Sequence, residues 1–209
     1  SEMCIRDRLY TGIKKMIVEN QDKSEEGEAT MVEVEAALAY PPNNALLGSS
    51  SVRTPFPYKL WIYNDFVNSK TKLGKWIFNH FAATPVYLST VNPELRAKIA
   101  TNVLHNYGYF NGAVSYSVEK EKNPKKAKVN YLVNMRNPYY IDSVMYARFP
   151  YAADSLIRET YANRLLKNGD NFSVLKLENE RARLSNLFRN NGYYYYLSLI
   201  HISEPTRRR

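Results

Sequence analysis

Cysteine is nearly absent from this chain. Its 209 residues contain one, Cys4, so no disulfide can form within the chain. Long apolar runs are also missing, because no stretch approaches the roughly 18 consecutive apolar residues of a membrane-spanning helix. The hydrophobic fraction of 44% is nevertheless too high for a disordered chain. We therefore predict folded domains that are held together by apolar cores alone.

Residue types that carry chemistry are sparse. Only three histidines occur, and His80 and His105 are the two that lie outside the chain ends. No set of ligands stands at the spacing of a metal site, and no nucleophile or phosphate-binding motif occurs. Asp142 and Asp154 do not make a convincing carboxylate pair. We therefore predict a binding scaffold with no catalytic residue, no metal and no other cofactor.

The basic residues are dispersed. Net charge is +9, but no compact motif typical of nucleic-acid binding occurs, and no loop resembles those of RNP or KH domains. We expect a solvated basic surface and no nucleic-acid partner, while a weak attraction to anionic lipid headgroups stays open. Tyrosine is abundant, with 18 residues, and it suits half-buried strands and contact surfaces.

The two ends of the chain look like translated sequencing adapter. Residues 2–7 can be encoded by GAGATGTGTATAAGAGAC and residues 197–202 by CTGTCTCTTATACACATC. The reverse complement of the second string overlaps the first through ATGTGTATAAGAGAC, and natural gene ends have no reason to be related in this way. We therefore set residues 1–8 and 197–209 aside as non-native. The first flank is neutral and the second carries +2, so the charge falls to +7 in what we interpret as an internal fragment.

A motif that ends a helix occurs twice. Residues 102–110 and 186–194 both carry Asn at the first and fifth positions, followed by Gly, Tyr and an aromatic residue at the last three. A glycine just after a helix adopts the left-handed conformation without Cβ strain, and the next aromatic residue can start a strand and pack back on the helix. The predicted structural residues are Gly108, Tyr109, Phe110, Gly192 and Tyr193.

Strand-like and helix-like patterns alternate along the chain. Asn92, Pro93 and Glu94 are typical of a helix start, and Leu95, Ile99 and Val103 repeat every four residues behind them. The predicted strands cover residues 9–18, 113–118, 127–133 and 139–146, and the polar residues 119–126 are predicted to join the second and third of these as a hairpin. The first predicted helix covers residues 28–39, carries the apolar stripe Met31, Val34 (or Glu35) and Leu38, and is ended by residues 41–44. Further helices are predicted over residues 72–81 and from 93 to Gly108.

Two more helices are predicted near the end of the chain. One begins at Asp154, has Ile157, Tyr161 and Leu165 on one face, and stops at residues 167–169. The next carries Leu177, Leu184 and Phe188 and ends at Gly192.

This arrangement resembles POTRA domains, whose elements follow the order strand, helix, helix, strand, strand. Such domains form the periplasmic arm of the BamA/TamA family of outer-membrane assembly proteins. The stretches 41–48, 60–64 and 74–77 resemble the Bacteroidota branch of that family, the TamL-type assembly lipoproteins. The link between the last two helices is similar to the family's Gly-Asp-x-Phe loop through Gly169, Asp170 and Phe172.

The resemblance implies an α+β fold of tandem POTRA-like modules, covering nearly all of residues 9–196. Each module would be a small mixed three-stranded sheet with two helices on one face. The modules would cover residues 9–66, 67–137 and 138–196, with the last one truncated. The middle module has no obvious first strand, and residues 85–88 are its only candidate.

The resemblance also implies a function without catalysis. The modules would lie at the periplasmic face of the outer membrane and bind clients by β-augmentation at exposed sheet edges. The implied partners are nascent outer-membrane proteins, or a periplasmic or inner-membrane assembly partner, and the parent protein would be anchored by a C-terminal barrel outside the fragment. The alternative is a passive spacer that links the barrel to such a partner. The candidate edge residues are Ala113, Val114, Ser115, Tyr116, Ser117 and Val118.

Overall fold

The protein is a mixture of helices and one sheet, which confirms the α+β class. The computed structural model describes residues 8–43, 45, 62–65, 71–81, 84–144, 146 and 151–194. Its strands are β1 (Leu9–Glu19), β2 (Ala113–Lys120) and β3 (Lys126–Asn134). Its helices are α1 (Glu25–Leu38), α2 (Lys72–Phe81), α3 (Leu88–Val91), α4 (Pro93–Asn106), α5 (Tyr151–Glu159) and α6 (Val174–Asn190), with a 3-10 turn at Tyr161–Asn163. Residues 62–65 are also helical, and no helix of the described part is long and apolar enough to cross a membrane.

The three strands form one sheet in the order β1-β3-β2. β3 pairs in parallel with β1 and antiparallel with β2, which confirms the predicted hairpin. Alternate residues of β3 are fully buried, because one face of the sheet packs on the core. The buried set is Ala127, Val129, Tyr131 and Val133.

The sheet joins segments that the sequence patterns assigned to different modules. β1 comes from the predicted module 9–66, and β2 and β3 come from the predicted module 67–137. The expectation of a separate sheet in each is therefore wrong, because β1 supplies the ladder partner on the second side of β3. Residues 85–88 do not form a strand of their own: Tyr87 makes one bridge to Leu9, and α3 begins at Leu88.

α4 begins at Pro93 as predicted, whereas α1 and α5 begin at Glu25 and Tyr151, each three residues earlier than predicted. At α1 the Ser24 hydroxyl accepts the N–H of Gly27 at 3.1 Å, and the first turn carries three glutamates. At α4 the Asn92 side chain accepts the N–H of Leu95 at 3.3 Å, and Pro93 occupies the first helical position. These caps satisfy donors that a helix cannot pair internally.

The buried face of α4 differs from the predicted one. Leu95 and Ile99 are 51% and 44% exposed, whereas Ala97, Ala100 and Leu104 are buried. Ala97, Ala100 and Leu104 follow one another at spacings of three and four residues, so they also share one helical face, and this face is the one that packs on the core. In α1 the predicted stripe is correct, and Met31, Val34 and Leu38 are all buried.

The described residues divide into two compact units. The first contains residues 8–19, 31–101 and 113–134, and therefore the whole sheet. The second contains residues 20–30, 102–112 and 135–194, and its apolar cluster consists of Ala153, Ile157, Leu184 and Phe188. The second unit thus includes the turn after α4 as well as α5 and α6.

The predicted strand at residues 139–146 is absent from the described part of that segment, which lacks only residue 145. One isolated bridge joins Tyr140 to Asn171. A strand needs a ladder partner, and no described strand lies beside this segment. α5 also ends earlier than predicted, at Glu159, so Tyr161 and Leu165 lie beyond it.

Of the two adapter-like flanks, only Arg8 lies among the described residues. Its carbonyl accepts the N–H of Leu88 at 2.9 Å, and its side chain is buried. Residue 8 is therefore part of the fold. Residues 1–7 and 197–209 lie outside the described part of the chain.

Candidate functional site

β2 is an edge strand, and half of its backbone groups point away from the sheet. The N–H of Val114 donates to the Thr101 hydroxyl at 3.0 Å instead of to β3. Backbone direction alternates along an antiparallel ladder, so the N–H and C=O groups of Tyr116 and Val118 also point outward. Ser115 and Ser117 pair with β3. All six predicted edge residues therefore lie on an edge strand.

Thr101 closes the first part of this edge. Its hydroxyl donates to the Ala97 carbonyl at 2.9 Å and accepts from Val114, so both of its hydrogen-bonding roles are in use. The outward groups from Tyr116 onward have no such cover within the described residues. Tyr116 is exposed and Val118 is half-buried. The open stretch of the edge is thus shorter than the predicted one.

The opposite edge of the sheet is closed where β1 begins. The N–H of Tyr10 donates to the Val86 carbonyl at 2.9 Å. The Asn43 amide donates to the carbonyls of Tyr10 and Val86 at 2.9 and 2.8 Å, and its oxygen accepts the N–H of Val86 at 2.8 Å. Asn43 was predicted only to end a helix. Its amide can both donate and accept, which is the property needed to complete a strand edge.

Charge lies just beyond the open stretch of β2 and is compensated there. Glu119 accepts hydrogen bonds from Lys14 and Asn130. The bond from Lys14 contributes most to lowering the pKa of Glu119, and the bond from Asn130 adds to it. The stretch from Tyr116 to Val118 itself carries no formal charge, so recognition there would depend on the backbone and on apolar contact.

Both copies of the repeated motif adopt the predicted turn. Gly108 and Gly192 have φ values of +87° and +82°. The N–H of Tyr109 donates to the Leu104 carbonyl at 2.9 Å, and the N–H of Tyr193 donates to the Phe188 carbonyl at the same distance. The matching bonds and dihedrals confirm that Gly provides the left-handed residue that ends each helix.

Tyr109 connects its turn to the start of α1. Its hydroxyl donates to the Asp22 carboxylate at 2.8 Å, while its ring is buried. Burial and the Asp22 carboxylate both raise the pKa of the Tyr109 hydroxyl. The sequence patterns identified Tyr109 but gave no signal for Asp22, because the two residues are distant in the chain.

The Gly-Asp-x-Phe loop packs against the first copy of the motif. The N–H of Phe172 donates to the Tyr139 carbonyl at 2.9 Å, and the N–H of Tyr139 donates to the Gly108 carbonyl at 2.9 Å. The Phe110 ring lies 5.0 Å from the Phe172 ring and 5.2 Å from the Tyr139 ring. Gly169, with φ +89°, donates its N–H to the Ile141 carbonyl, and the Asp170 carbonyl accepts from Ile141. The structure therefore brings Gly108, Phe110 and the loop together.

A buried ion pair in the second unit was not predicted. Glu180 accepts hydrogen bonds from Arg183 at 2.7 and 3.0 Å, from the Tyr146 hydroxyl at 2.7 Å and from the Leu165 N–H at 2.9 Å. Burial would raise the pKa of Glu180, but these hydrogen bonds hold it below its usual value. Burial and Glu180 raise the pKa of Tyr146 to about 12. The available signal was an acid in the apolar stripe of α6, four residues before Leu184.

Neither a known protein family nor a curated protein matches this chain. Within the described residues, no group of three or more His, Cys, Asp or Glu side chains could hold a metal ion. The candidate site is the open edge of β2, because its outward backbone groups are suited to binding an extended chain.

Proposed function

We propose that this chain is a POTRA-like arm of a BamA/TamA-family outer-membrane assembly protein, of the TamL type, acting in the periplasm. It binds nascent outer-membrane proteins or an assembly partner by β-augmentation at β2. The observation that carries the proposal is the open edge at Tyr116 and Val118, whose backbone groups point away from β3. The order β1, α1, α4, β2, β3 supports it, because this is the element order of a POTRA domain with α2 and α3 inserted.

The chemistry of the edge suits clients of many sequences. A net hydrogen bond contributes only about 1 kcal/mol, so a few backbone bonds at the open stretch give weak and reversible binding. Backbone bonds are indifferent to side-chain identity, and the neutral surface between Tyr116 and Val118 adds apolar contact without charge selection. A receptor for varied unfolded barrel proteins needs this combination.

A photocrosslinking experiment tests the location of binding. A photoreactive phenylalanine analogue replaces Tyr116, and a urea-unfolded outer-membrane barrel protein is diluted into the labelled chain. We expect capture at position 116. The matched control carries the same analogue at Tyr151, an exposed tyrosine of α5. Equal capture at both positions would contradict the proposal.

Two substitutions then separate the backbone from the side chain. Tyr116→Pro removes an outward N–H and leaves the bonds to β3, so the sheet should tolerate it as edge strands tolerate proline. Tyr116→Ala keeps the N–H and removes the ring. We expect client binding to be lost with proline and largely kept with alanine, at unchanged circular dichroism. Unchanged binding in both variants would favour the passive spacer.

A further inference from the structure

The first copy of the repeated motif holds a defined element. The carbonyl of Gly108 accepts the N–H of Tyr139, and the loop that ends at Phe172 closes over the same turn. A Cβ atom built on Gly108 would lie 2.8 Å from the Phe172 carbonyl oxygen and 3.3 Å from that of Tyr139. Glycine is therefore required here both for its dihedral angle and for this close backbone approach.

Aromatic packing completes the contact. The Phe110 ring stands edge-on to Tyr139 at 83° and tilted against Phe172 at 51°. Aromatic pairs at such separations favour one mutual arrangement. The turn, the 139–141 segment and the 169–172 loop all belong to the second compact unit. We call this contact the turn joint.

The second copy has the same turn and lacks the element. Gly192 matches Gly108 in φ and in the hydrogen bonds that end the helix, yet nothing described lies within 4 Å of a Cβ built on it. Tyr194 occupies the position of Phe110 and is 64% exposed, against 37% for Phe110. The Tyr194 side chain thus stands where Phe110 stands in the first copy, and most of its surface is exposed.

We infer that the turn at residues 190–194 is a docking site for a further module of the kind that the segments 139–141 and 169–172 represent. The incoming segment donates the N–H that corresponds to that of Tyr139 to the Gly192 carbonyl, and a Gly-Asp-x-Phe loop places its aromatic ring on Tyr194. The occupant is identified by the first copy, which holds this element in the same chain. Each module then fixes the next through its helix-ending glycine. The inference does not depend on client binding at β2.

The test extends the chain with the expected occupant. Residues 1–194 are followed directly by a second copy of residues 111–194, which keeps the spacing between Gly108 and Tyr139. We expect nuclear Overhauser contacts from the Tyr194 ring to the rings of Tyr139 and Phe172 in the appended copy. We also expect the appended Tyr139 amide to exchange about tenfold or more slowly than in a chain with the joint broken.

The Gly192→Asn substitution gives the comparison chain, in which the turn joint cannot form. Asparagine tolerates the left-handed conformation, but its Cβ would collide with the incoming loop as at Gly108. The extended variant should lose the Tyr194 contacts, whereas the unextended variant should keep the stability of its parent to within a few degrees. The inference is overturned if the appended Tyr139 amide exchanges as fast in the extended chain as in its Gly192→Asn variant, or if the variant keeps the Tyr194 contacts. The appended hairpin has no β1 of its own, so its state decides neither outcome.

Discussion

At the residue scale, the two glycines of the repeated motif carry different demands although their sequences match. Both need a positive φ, which costs other residues conformational energy. Only Gly108 must also admit a carbonyl oxygen within 2.8 Å of where a Cβ would lie. A side chain in place of glycine should therefore be tolerated at Gly192 and not at Gly108, although the two motifs match in sequence.

Asparagine separates these two demands. We expect Gly108→Asn to lower the free energy of unfolding by about 2–3 kcal/mol, because its Cβ displaces the Phe172 backbone. Gly192→Asn should cost less than about 1 kcal/mol, since the left-handed conformation suits asparagine and the space is open. Urea unfolding of the two variants measures the difference. Equal losses would mean that the close approach at Gly108 has no energetic weight.

Glu180 is a buried acid of the second unit whose ionisation is coupled to folding. Its hydrogen bonds lower its pKa below the unfolded value, so folding favours the charged form. The stabilisation is therefore complete above the unfolded pKa of about 4.5 and is lost as pH falls through the lower folded pKa. Arg183 stays charged over the whole pH range. At low pH, where Glu180 is protonated, we therefore expect Arg183 to lose its ionic partner.

Glu180→Gln should destabilise the chain at pH 7 and flatten its acid response. Removing the charge of buried Glu180 should cost about 2 kcal/mol, less than in a fully buried pair, because the Arg183 side chain is 19% exposed and keeps part of its hydration. Thermal unfolding from pH 7 to pH 3 measures both effects. We expect the stability gap between parent and variant to narrow below pH 4.5. Arg158→Gln, at an exposed pair with Asp154, is the control and should change stability by less than about 1 kcal/mol at every pH.

At the element scale, one side chain closes one edge of the sheet. Asn43 makes three hydrogen bonds to backbone groups of Tyr10 and Val86. We expect Asn43→Ala to cost about 2–3 kcal/mol, since each lost bond contributes about 1 kcal/mol. The Tyr10 amide should exchange faster in the variant. Asn168→Ala, in an exposed turn, should leave that exchange rate unchanged, and an equal effect of both would contradict the role of Asn43.

Helix caps and the β2–β3 hairpin could be predicted because their causes are local. Asn92, Pro93 and the helix-ending glycines act on neighbouring residues, so the sequence alone contains the information. The buried face of α4 could not be predicted in this way. Leu95 and Ile99 are more apolar than Ala97 and Ala100, yet the alanines face the core, so the apolar character of the side chains alone did not identify the buried face.

The edge position of β2 followed from the resemblance, but its open length did not. The Thr101 hydroxyl accepts the N–H of Val114, a residue 13 positions later in the chain. No helical or strand periodicity connects the two residues, so the sequence did not predict this hydrogen bond. The Asp22–Tyr109 and Glu180–Tyr146 contacts are similar cases. In each, a polar group was visible in the sequence and its partner was fixed only by the fold.

At the scale of the whole molecule, the sheet depends on pairing between the two ends of a long segment. Leu9 pairs with Lys126 and Glu19 with Asn134, and these contacts close more than a hundred positions of chain. Closing so long a loop costs chain entropy, which the β1–β3 ladder and the burial of its side chains must offset. β1, β2 and β3 therefore form one sheet, although the sequence patterns placed β1 in one predicted module and β2 and β3 in the next.

Removal of residues 1–19 tests this dependence. The amides of Val129, Tyr131 and Val133 point toward β1, because these residues do not exchange backbone bonds with β2. In a chain that begins at Asn20 they should exchange at least about a hundredfold faster than in the full chain, since they lose their acceptors and Tyr10 leaves the core. The amides of Leu184 and Phe188 in α6 serve as the internal reference, because their apolar cluster consists of residues after 150. A hairpin that stays protected in the shortened chain would show that residues 67–137 fold as a module of their own, and β1 would then be an addition to a complete sheet rather than part of it.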